Sequence, residues 1–429
     1  MNTFLKVIRA DGETEQRQIA EMKARAAQTA ADIDRKVAVM MEDVRKNGMQ
    51  AVEQYSIQFD KKKPYIVSEQ RIQQAYDACS RELREALELS AKNIADYHEK
   101  MMVKTWEYER TPGAKLGQMV RGLEKVGIYV PGGTAAYPST VLMNAVTAKV
   151  AGVQQVIMVT PPTENLSDVV LAAAKIAGVD QVIACGGVQA IAALTYGAGF
   201  IPAVDKIVGP GNAFVAAAKK QAFGKVDIDM IAGPSEVLVI ADETADPVYV
   251  AADLLSQAEH DRMASAVLLT NSETLAMQVS EQMDKQSVNM PRRDIIEESV
   301  QNYGIGLVFD TLEDACVMAD KVAPEHLEVV TKNPRELLPY LHNAGAIFLG
   351  AYSPEPLGDY MAGPCHVLPT SGTARFFSPL STDTFLKKTS IIEYSEDELL
   401  KVADGIIAIA ESEKLTAHAN SIRQRKDVR

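Results

Sequence analysis

Four of the six histidines in this chain lie in short polar stretches whose residue types could move protons or hold a metal. They are His260 in Ser-Gln-Ala-Glu-His, His326 in Ala-Pro-Glu-His-Leu, His366 in Gly-Pro-Cys-His-Val-Leu-Pro and His418 in Leu-Thr-Ala-His; His98 and His342 have no such setting. Imidazole is the side chain best matched to metal binding and proton transfer near neutral pH. Spread over about 160 residues, the four point to one composite site assembled by the fold.

Gln257 and His260 are three residues apart in a segment with helical periodicity, so both side chains should project from one face. They could bind a divalent cation with loop residues such as Asp359 and His418, or simply end a capped helix with a solvent-facing imidazole. Two imidazoles, a carboxylate and an amide oxygen, without thiolate, would suit zinc or a similar metal. Glu325 and His326 follow Ala-Pro, which predicts a helical start or a tight turn. An adjacent acid and imidazole can divide general acid–base work between two steps, or form only a loop ion pair or cap. Ser235, in Ala-Gly-Pro-Ser-Glu, has no Gly-x-Ser-x-Gly elbow, so it reads as a ligand hydrogen-bonding group and not a nucleophile. Cys365 beside His366 raises a thiol nucleophile, but sequence neighbours seldom form such a dyad.

These residues must be positioned by a particular run of elements. The first hundred residues carry apolar side chains at helical spacing, and predict long helices over 24–48 and 69–102. From Val126 onward short apolar runs alternate with Ala-rich helical segments, with strands expected at 126–130, 155–159, 181–184, 205–208, 237–241, 266–270, 305–309, 327–330 and 346–349. Repeated strand–loop–helix units of this length predict a mostly parallel sheet. The fold class is therefore α/β: two Rossmann-like parallel-sheet domains, incomplete and atypical, with duplication as the expected relation, plus a helical N-terminal region and a C-terminal helical tail. Residues 354–379 are dense in Gly, Pro and Ser, and a loop of that length is usually functional.

Glycines stand at three strand-to-helix junctions: Gly132-Gly133, Gly186-Gly187 and Gly209-Pro-Gly211. Such junctions let backbone N–H groups approach a phosphate, or merely make tight turns. None fits the dinucleotide fingerprint; Phe214 stands where a third glycine would follow Gly211.

Composition narrows the function further. A length of 429 residues predicts at least two domains, and 47% hydrophobic with 24% charged residues is globular. A net charge of −13 argues against nucleic acid and anionic membranes as partners. The four scattered cysteines suit a reducing compartment, and the N-terminus offers no apolar stretch of signal-peptide type, so a cytoplasmic location is expected.

Taken together, ten stretches resemble the histidinol dehydrogenase family. They are Val126-Gly-Ile-Tyr-Val-Pro-Gly-Gly, Gly186-Gly-Val-Gln-Ala-Ile-Ala-Ala-Leu, Asp205-Lys-Ile-Val-Gly-Pro-Gly-Asn-Ala-Phe-Val, Ala232-Gly-Pro-Ser-Glu-Val, Asp253-Leu-Leu-Ser-Gln-Ala-Glu-His, Ala323-Pro-Glu-His-Leu, Gly358-Asp359, His366-Val-Leu-Pro-Thr, Thr373-Ala-Arg-Phe and Leu415-Thr-Ala-His. They run in the family's order from about Lys125 to His418. The resemblance implies oxidation of L-histidinol to L-histidine through an aldehyde held on the enzyme, with two NAD⁺ reduced. It implies one zinc ion per subunit held by Gln257, His260, Asp359 and His418. Substrate contacts would add Ser235, His326 and Glu413 to those four, and NAD⁺ contacts would be Tyr129, Gln189 and Asn212. His326 would be the base in both oxidations, and Glu325 would activate the water that hydrates the aldehyde. The family is a homodimer whose tail enters the partner's site, so Glu413 and His418 are expected to complete the other subunit's site. Cys365 departs from the asparagine expected there, which could soften the loop or add sensitivity to oxidation.

The expected division is an N-terminal arm at 1–24, an α/β domain of 25–125 with 235–381 carrying zinc and catalytic residues, an NAD⁺ domain at 126–234, and a tail at 382–429. Three other readings stay open at this level: a sister dehydrogenase acting on another small alcohol, a metal-binding protein without catalysis, and a zinc hydrolase.

Overall fold

A computed structural model describes residues 4–27, 30–132, 137–163, 166–231 and 233–426. Gly133 of the first glycine loop and Ala232 before Ser235 lie outside the described residues. The chain forms two compact units, Met1–Met101 with Leu123–Phe385, and Met102–Gly122 with Leu386–Arg429.

The larger unit contains two six-stranded sheets of mixed α/β type. In the first, Gln181–Ala184, Gln155–Thr160, Lys125–Tyr129, Lys206–Val208 and Asp227–Ile228 lie side by side and parallel, with Tyr65–Ile66 added antiparallel at one edge. In the second, Gly304–Val308, Ser265–Thr270, Glu236–Ala241, His326–Val330 and Ala346–Leu349 do the same, with Val7–Arg9 added parallel at one edge. Both five-strand cores have the order third, second, first, fourth, fifth. Each therefore reverses direction beside its first strand, where open α/β sheets leave a crevice. Strands covered on both faces read as continuous apolar runs, and Val126, Ile128, Val156 and Val159 are fully buried.

The helices start where the sequence offers oxygen caps. Ser68, Ser80, Asn212, Asp246, Ser272 and Thr311 each accept an N–H from the first turn of the helix they precede. The expected long N-terminal helices are interrupted: Ala30–Asn47 is followed by Met49–Asp60, and Glu69–Ala78 by Arg81–Glu99. Gly48 at φ 56° and the Ser80 cap mark the two breaks. Val37, Met41, Val44 and Val52 join the core of the 125–228 sheet, so this region packs there and not on the sheet that carries His326.

The smaller unit is a three-stranded antiparallel sheet of Trp106–Thr111, Ala114–Gly122 and Leu386–Tyr394, followed by helices Glu396–Ser412 and Thr416–Lys426. The sequence reading contained neither the hairpin nor the third strand. Every residue of Trp106–Thr111 is exposed, so it lacks the alternation that marks a half-buried strand. Among the described residues no helix is long and apolar enough to cross a membrane.

Candidate active site

His326 opens the strand His326–Val330, and Glu325 stands just before it. The neighbouring strand opens at Glu236, whose backbone serves both side chains. Its N–H donates to Glu325 Oε2 at 2.9 Å, and its carbonyl accepts from His326 Nδ1 at 3.1 Å. Glu325 Oε2 lies 3.8 Å from that same Nδ1. The helical start or tight turn expected at Pro324 is instead the approach to a strand, with Ala323 at φ 52° making the reversal. Strand alternation then sends Leu327 and Val329 into one core layer, while Glu328 meets Asp253 of the helix Pro247–Ala258 on the face shared with His326.

Gln257 sits in the last turn of that helix, fully buried, with neither amide atom hydrogen-bonded. His260 lies two residues past the helix end in a turn, exposed, so the shared helical face expected for the pair is only half realised. Asp359 comes from the short helix Glu355–Tyr360, with Oδ1 3.9 Å from His326 Nε2 and 3.6 Å from His366 Nδ1. The structure thus gathers Glu325, His326, Asp359 and His366 at the N-terminal end of the strand His326–Val330, which lies between Glu236–Ala241 and Ala346–Leu349. Ser235 is half-buried immediately before Glu236, in the same region.

Burial dominates the electrostatics here. It pushes the His326 imidazole down to about 4, against the pull of its hydrogen bond to Glu236, with His366 and His260 depressing it further. His326 is therefore neutral near pH 7. Because Nδ1 donates to a carbonyl, the proton is assigned to that nitrogen, and Nε2 keeps a free lone pair with no hydrogen-bond partner. Burial lowers His366 to about 4 as well, and raises the Glu325 carboxyl well above its usual range, with Glu236, Asp359 and Glu355 adding to the effect.

One group escaped the sequence reading. Glu355, one turn before Asp359 and hydrogen-bonded to it, is buried; its backbone N–H donates to Glu328 Oε1 at 2.7 Å, and Ser256 Oγ lies 3.3 Å from its carboxylate. Burial raises Glu355, Asp359, Glu328 and Asp253 together, so the metal-free site holds protons on several carboxyls. The i, i+4 spacing in Glu355-Pro-Leu-Gly-Asp359 was the available signal. His326, Glu355 and Asp359 each offer a ligand atom within 4.8 Å of the others. That trio shares only Asp359 with the four ligands expected from sequence.

Tyr129, Gln189 and Asn212 fall at the C-terminal ends of strands in the other sheet. Tyr129 ends Lys125–Tyr129, and its hydroxyl accepts the Gly187 N–H at 3.1 Å. Gln189 is buried in the first turn of Gly187–Tyr196 and donates to Asp60 Oδ2 at 3.1 Å. Asn212 caps Ala213–Ala222, with its Oδ1 3.1 Å from the N–H groups of Phe214 and Val215. Tyr129 and Asn212 flank the point where strand order reverses. Gly209 at the reversal and Gly186 beyond Gln181–Ala184 serve close packing: a Cβ on Gly209 would lie 2.3 Å from the Tyr129 carbonyl oxygen, and one on Gly186 2.6 Å from Pro161. The C-terminal end of Asp227–Ile228 in this sheet and the N-terminal end of Glu236–Ala241 in the other are joined by residues 229–235, which span at most roughly 24 Å fully extended.

Glu413 and His418 belong to the smaller unit, where both are exposed: Glu413 caps Glu396–Ser412 and His418 lies in the first turn of Thr416–Lys426. His98 is buried and bonded through Nδ1 to the Ile94 carbonyl, and His342 pairs with Asp320 at 2.8 Å. Cys365 is buried, and burial pushes its thiol up to about 12, which makes it a poor source of reactive thiolate.

A histidinol dehydrogenase family profile matches residues 23–426. A histidinol dehydrogenase of Clostridium acetobutylicum is 49% identical over 429 residues, covering 99% of this chain and 100% of that protein. One of Bacillus subtilis is 50% identical over 394 residues, 91% of this chain and 92% of that one. The crystal structure of histidinol dehydrogenase from Elizabethkingia anophelis superposes with a TM-score of 0.94 at 36% identity, covering 100% of this chain and 99% of that chain.

Proposed function

The chain belongs to the histidinol dehydrogenase family, and from that premise we propose that it oxidises L-histidinol to L-histidine with two NAD⁺ and a zinc ion, as a cytoplasmic homodimer. The single observation that carries the chemistry is the Glu236 backbone holding Glu325 and a neutral His326 side by side.

The free Nε2 of His326 would take the hydroxyl proton of the substrate; NAD⁺, when bound, would supply the hydride acceptor. Its Nδ1–H bond to Glu236 fixes the tautomer and spreads the positive charge that develops. In the second half-reaction Glu325, as carboxylate, would remove a proton from the water that adds to the aldehyde carbon, while protonated His326 returns its proton to the aldehyde oxygen; the neutral imidazole so regenerated can then accept a hydroxyl proton of the hydrate. Both steps draw on side chains held next to each other, because Glu325 and His326 share one anchoring residue.

A metal fits this donor set. A buried amide with no partner, as at Gln257, is costly unless something fills its place; Ser256 beside it lies 3.3 Å from the Glu355 carboxylate, one turn before Asp359, whose Oδ1 has imidazole nitrogens of His366 and His326 at 3.6 and 3.9 Å. Gln257, His260 and Asp359 would hold zinc, with His418 supplied by the second subunit. Bound there, zinc would orient the substrate's imidazole and amine, and a substrate without imidazole would leave its open position unfilled. We prefer this set to the His326–Glu355–Asp359 trio because ligation through Nε2 would consume the lone pair that His326 needs as a base. NAD⁺ would lie at the strand reversal between Tyr129 and Asn212, with Gln189 beside it. On this reading the 125–228 sheet serves the cofactor and the 236–349 sheet serves metal and catalysis.

Dimerisation is supported by the smaller unit. Tyr108, Leu116 and Ile392 align across its three strands; Tyr108 is 51% and Ile392 74% exposed, and Trp106 on the same face is 49% exposed. A sheet face of that composition fits burial against a second copy. The four cysteines are all free and buried, in keeping with a reducing compartment.

The direct test is purified, zinc-loaded protein with NAD⁺ and L-histidinol. Two NADH and one L-histidine per substrate are expected. Turnover of a different alcohol with none of L-histidinol would reject the assignment.

A further inference from the structure

The strand that ends at the cofactor crevice is followed by a buried ion pair that neither the catalytic chemistry nor the metal site uses. Lys219 Nζ lies 2.5 Å from Asp229 Oδ1, with side chains 3% and 1% exposed. Each partner also grips the same glycine. Lys219 donates to the Gly209 carbonyl at 2.8 Å, and Asp229 Oδ2 accepts the Gly209 N–H at 2.8 Å. Asp229 Oδ1 further accepts the N–H of Met230 at 2.6 Å. Gly209 adopts φ 104°, and its missing Cβ lets the chain pass against the Tyr129 carbonyl.

The connectivity closes a ring. Gly209 leads through Pro210 and Gly211 to Asn212, which caps the helix that carries Lys219. Lys219 meets Asp229, and Asp229 returns to Gly209. Asp229 also begins the segment 229–235 that enters the catalytic strand at Glu236, the residue holding Glu325 and His326.

An ion pair taken out of water is costly, and replacing both partners with neutral groups is often neutral or stabilising. Stability alone is thus a weak reason for this pair. Its geometry fixes both polar atoms of Gly209, and with them the course of the loop between Tyr129 and Asn212. We propose that Lys219 and Asp229 are positioning residues for the nicotinamide cofactor, holding the Gly209–Asn212 loop in its binding-competent course. The inference rests on the placement of NAD⁺ at this strand reversal. The pair touches no substrate and moves no proton.

The test compares the double variant Lys219→Met/Asp229→Asn with wild type and with a control. A single change would strand one buried charge and could prevent folding; the double change leaves none. The control is Lys206→Met/Asp227→Asn. That pair lies 2.8 Å apart on the same sheet, at the opposite ends of its strands. NAD⁺ affinity is read by calorimetry, with zinc content, L-histidinol affinity and Tm measured beside it. The proposal expects NAD⁺ affinity to fall at least about tenfold in the Lys219/Asp229 variant, with L-histidinol affinity and zinc content within about twofold of wild type. The control should leave NAD⁺ affinity unchanged. Unchanged NAD⁺ affinity in the Lys219/Asp229 variant, or an equal loss in the control, overturns it, as does a wild-type protein that binds no NAD⁺. A variant that cannot be recovered folded also counts against it, since the pair would then be structural. Wild type that binds NAD⁺ yet fails to oxidise L-histidinol would reject the functional reading and still leave the loop's role decided by the affinities.

Discussion

At the scale of single residues, burial decides what Glu325 and His326 can do. An exposed imidazole would be partly protonated near pH 6.5; held down to about 4, His326 is a free base throughout the physiological range. Replacing it with asparagine keeps a hydrogen bond to Glu236 possible but removes the base, so kcat should fall about 10²–10⁴-fold while zinc content stays unchanged, as turnover and metal analysis would show. Glu325 is shifted the other way, so its carboxylate becomes available only well above the usual pH for a glutamate. Activity limited by aldehyde hydration should therefore fall on the acid side at a pH far above 4, with Glu325 and not His326 setting that limb. In Glu325→Gln, a single turnover should still yield the first NADH, while oxidation of added L-histidinaldehyde is lost. Equal loss of both half-reactions would refute the division of labour.

At the scale of elements, the sequence was legible where one period dominated. All nine strands expected between Val126 and Leu349 are present; eight are largely buried, as unbroken apolar runs covered on both faces must be, while Ala346–Leu349 is a partly exposed edge strand. The catalytic pair sits where it does because alternation in His326–Val330 turns His326 and Glu328 toward one face. Local pattern said less about the approach to that strand, where Ala323 in a left-handed conformation does what proline alone did not forecast. The glycine loops show the same limit. Sequence allowed a phosphate cradle or a tight turn, and at Gly209 packing demands the glycine whatever ligand lies beside it. Gly209→Ala, at φ 104° and with a Cβ 2.3 Å from the Tyr129 carbonyl oxygen, should destabilise the protein by about 1–3 kcal/mol or more in denaturant unfolding. A change below a few tenths of that range would mean that the loop relaxes freely.

At the scale of the whole molecule, the site's charges bear on stability. In the metal-free protein Glu355 and Glu328 have raised folded-state values, so the stability they contribute is complete below the unfolded value near 4.5 and is lost as pH climbs through the folded range. His326 and His366 act oppositely, adding stability as pH rises from about 4 to 6.5. Above pH 6.5 only the carboxyl loss remains, so Tm of the metal-free protein should decline from there toward pH 8. Zinc should flatten that decline, since its positive charge at Asp359 favours the ionised form of Glu355, which is hydrogen-bonded to Asp359. A metal-free Tm that is level or rising over that interval would contradict the buried-carboxyl account. Subunit exchange tests the shared site. Mixed His260→Ala and His418→Ala dimers, each inactive alone, should regain up to about a quarter of wild-type activity if the tail crosses between subunits; no recovery would mean that each chain completes its own site.

The sequence by itself determined the family, the α/β class, and the identity of the residues around which the site is read, since these follow from side-chain types at fixed separations along the chain. It also named Glu325 and His326, though not the state in which they act. Only the tertiary structure decided that Glu355 and His366 join Asp359, that Gln257 is buried without a partner, and that Lys219 and Asp229 close on Gly209. Those outcomes depend on which faces are covered and on contacts between residues far apart in the chain. Burial sets the proton affinity of a carboxyl or an imidazole, and burial is a property of the packed molecule that no local stretch of residues carries.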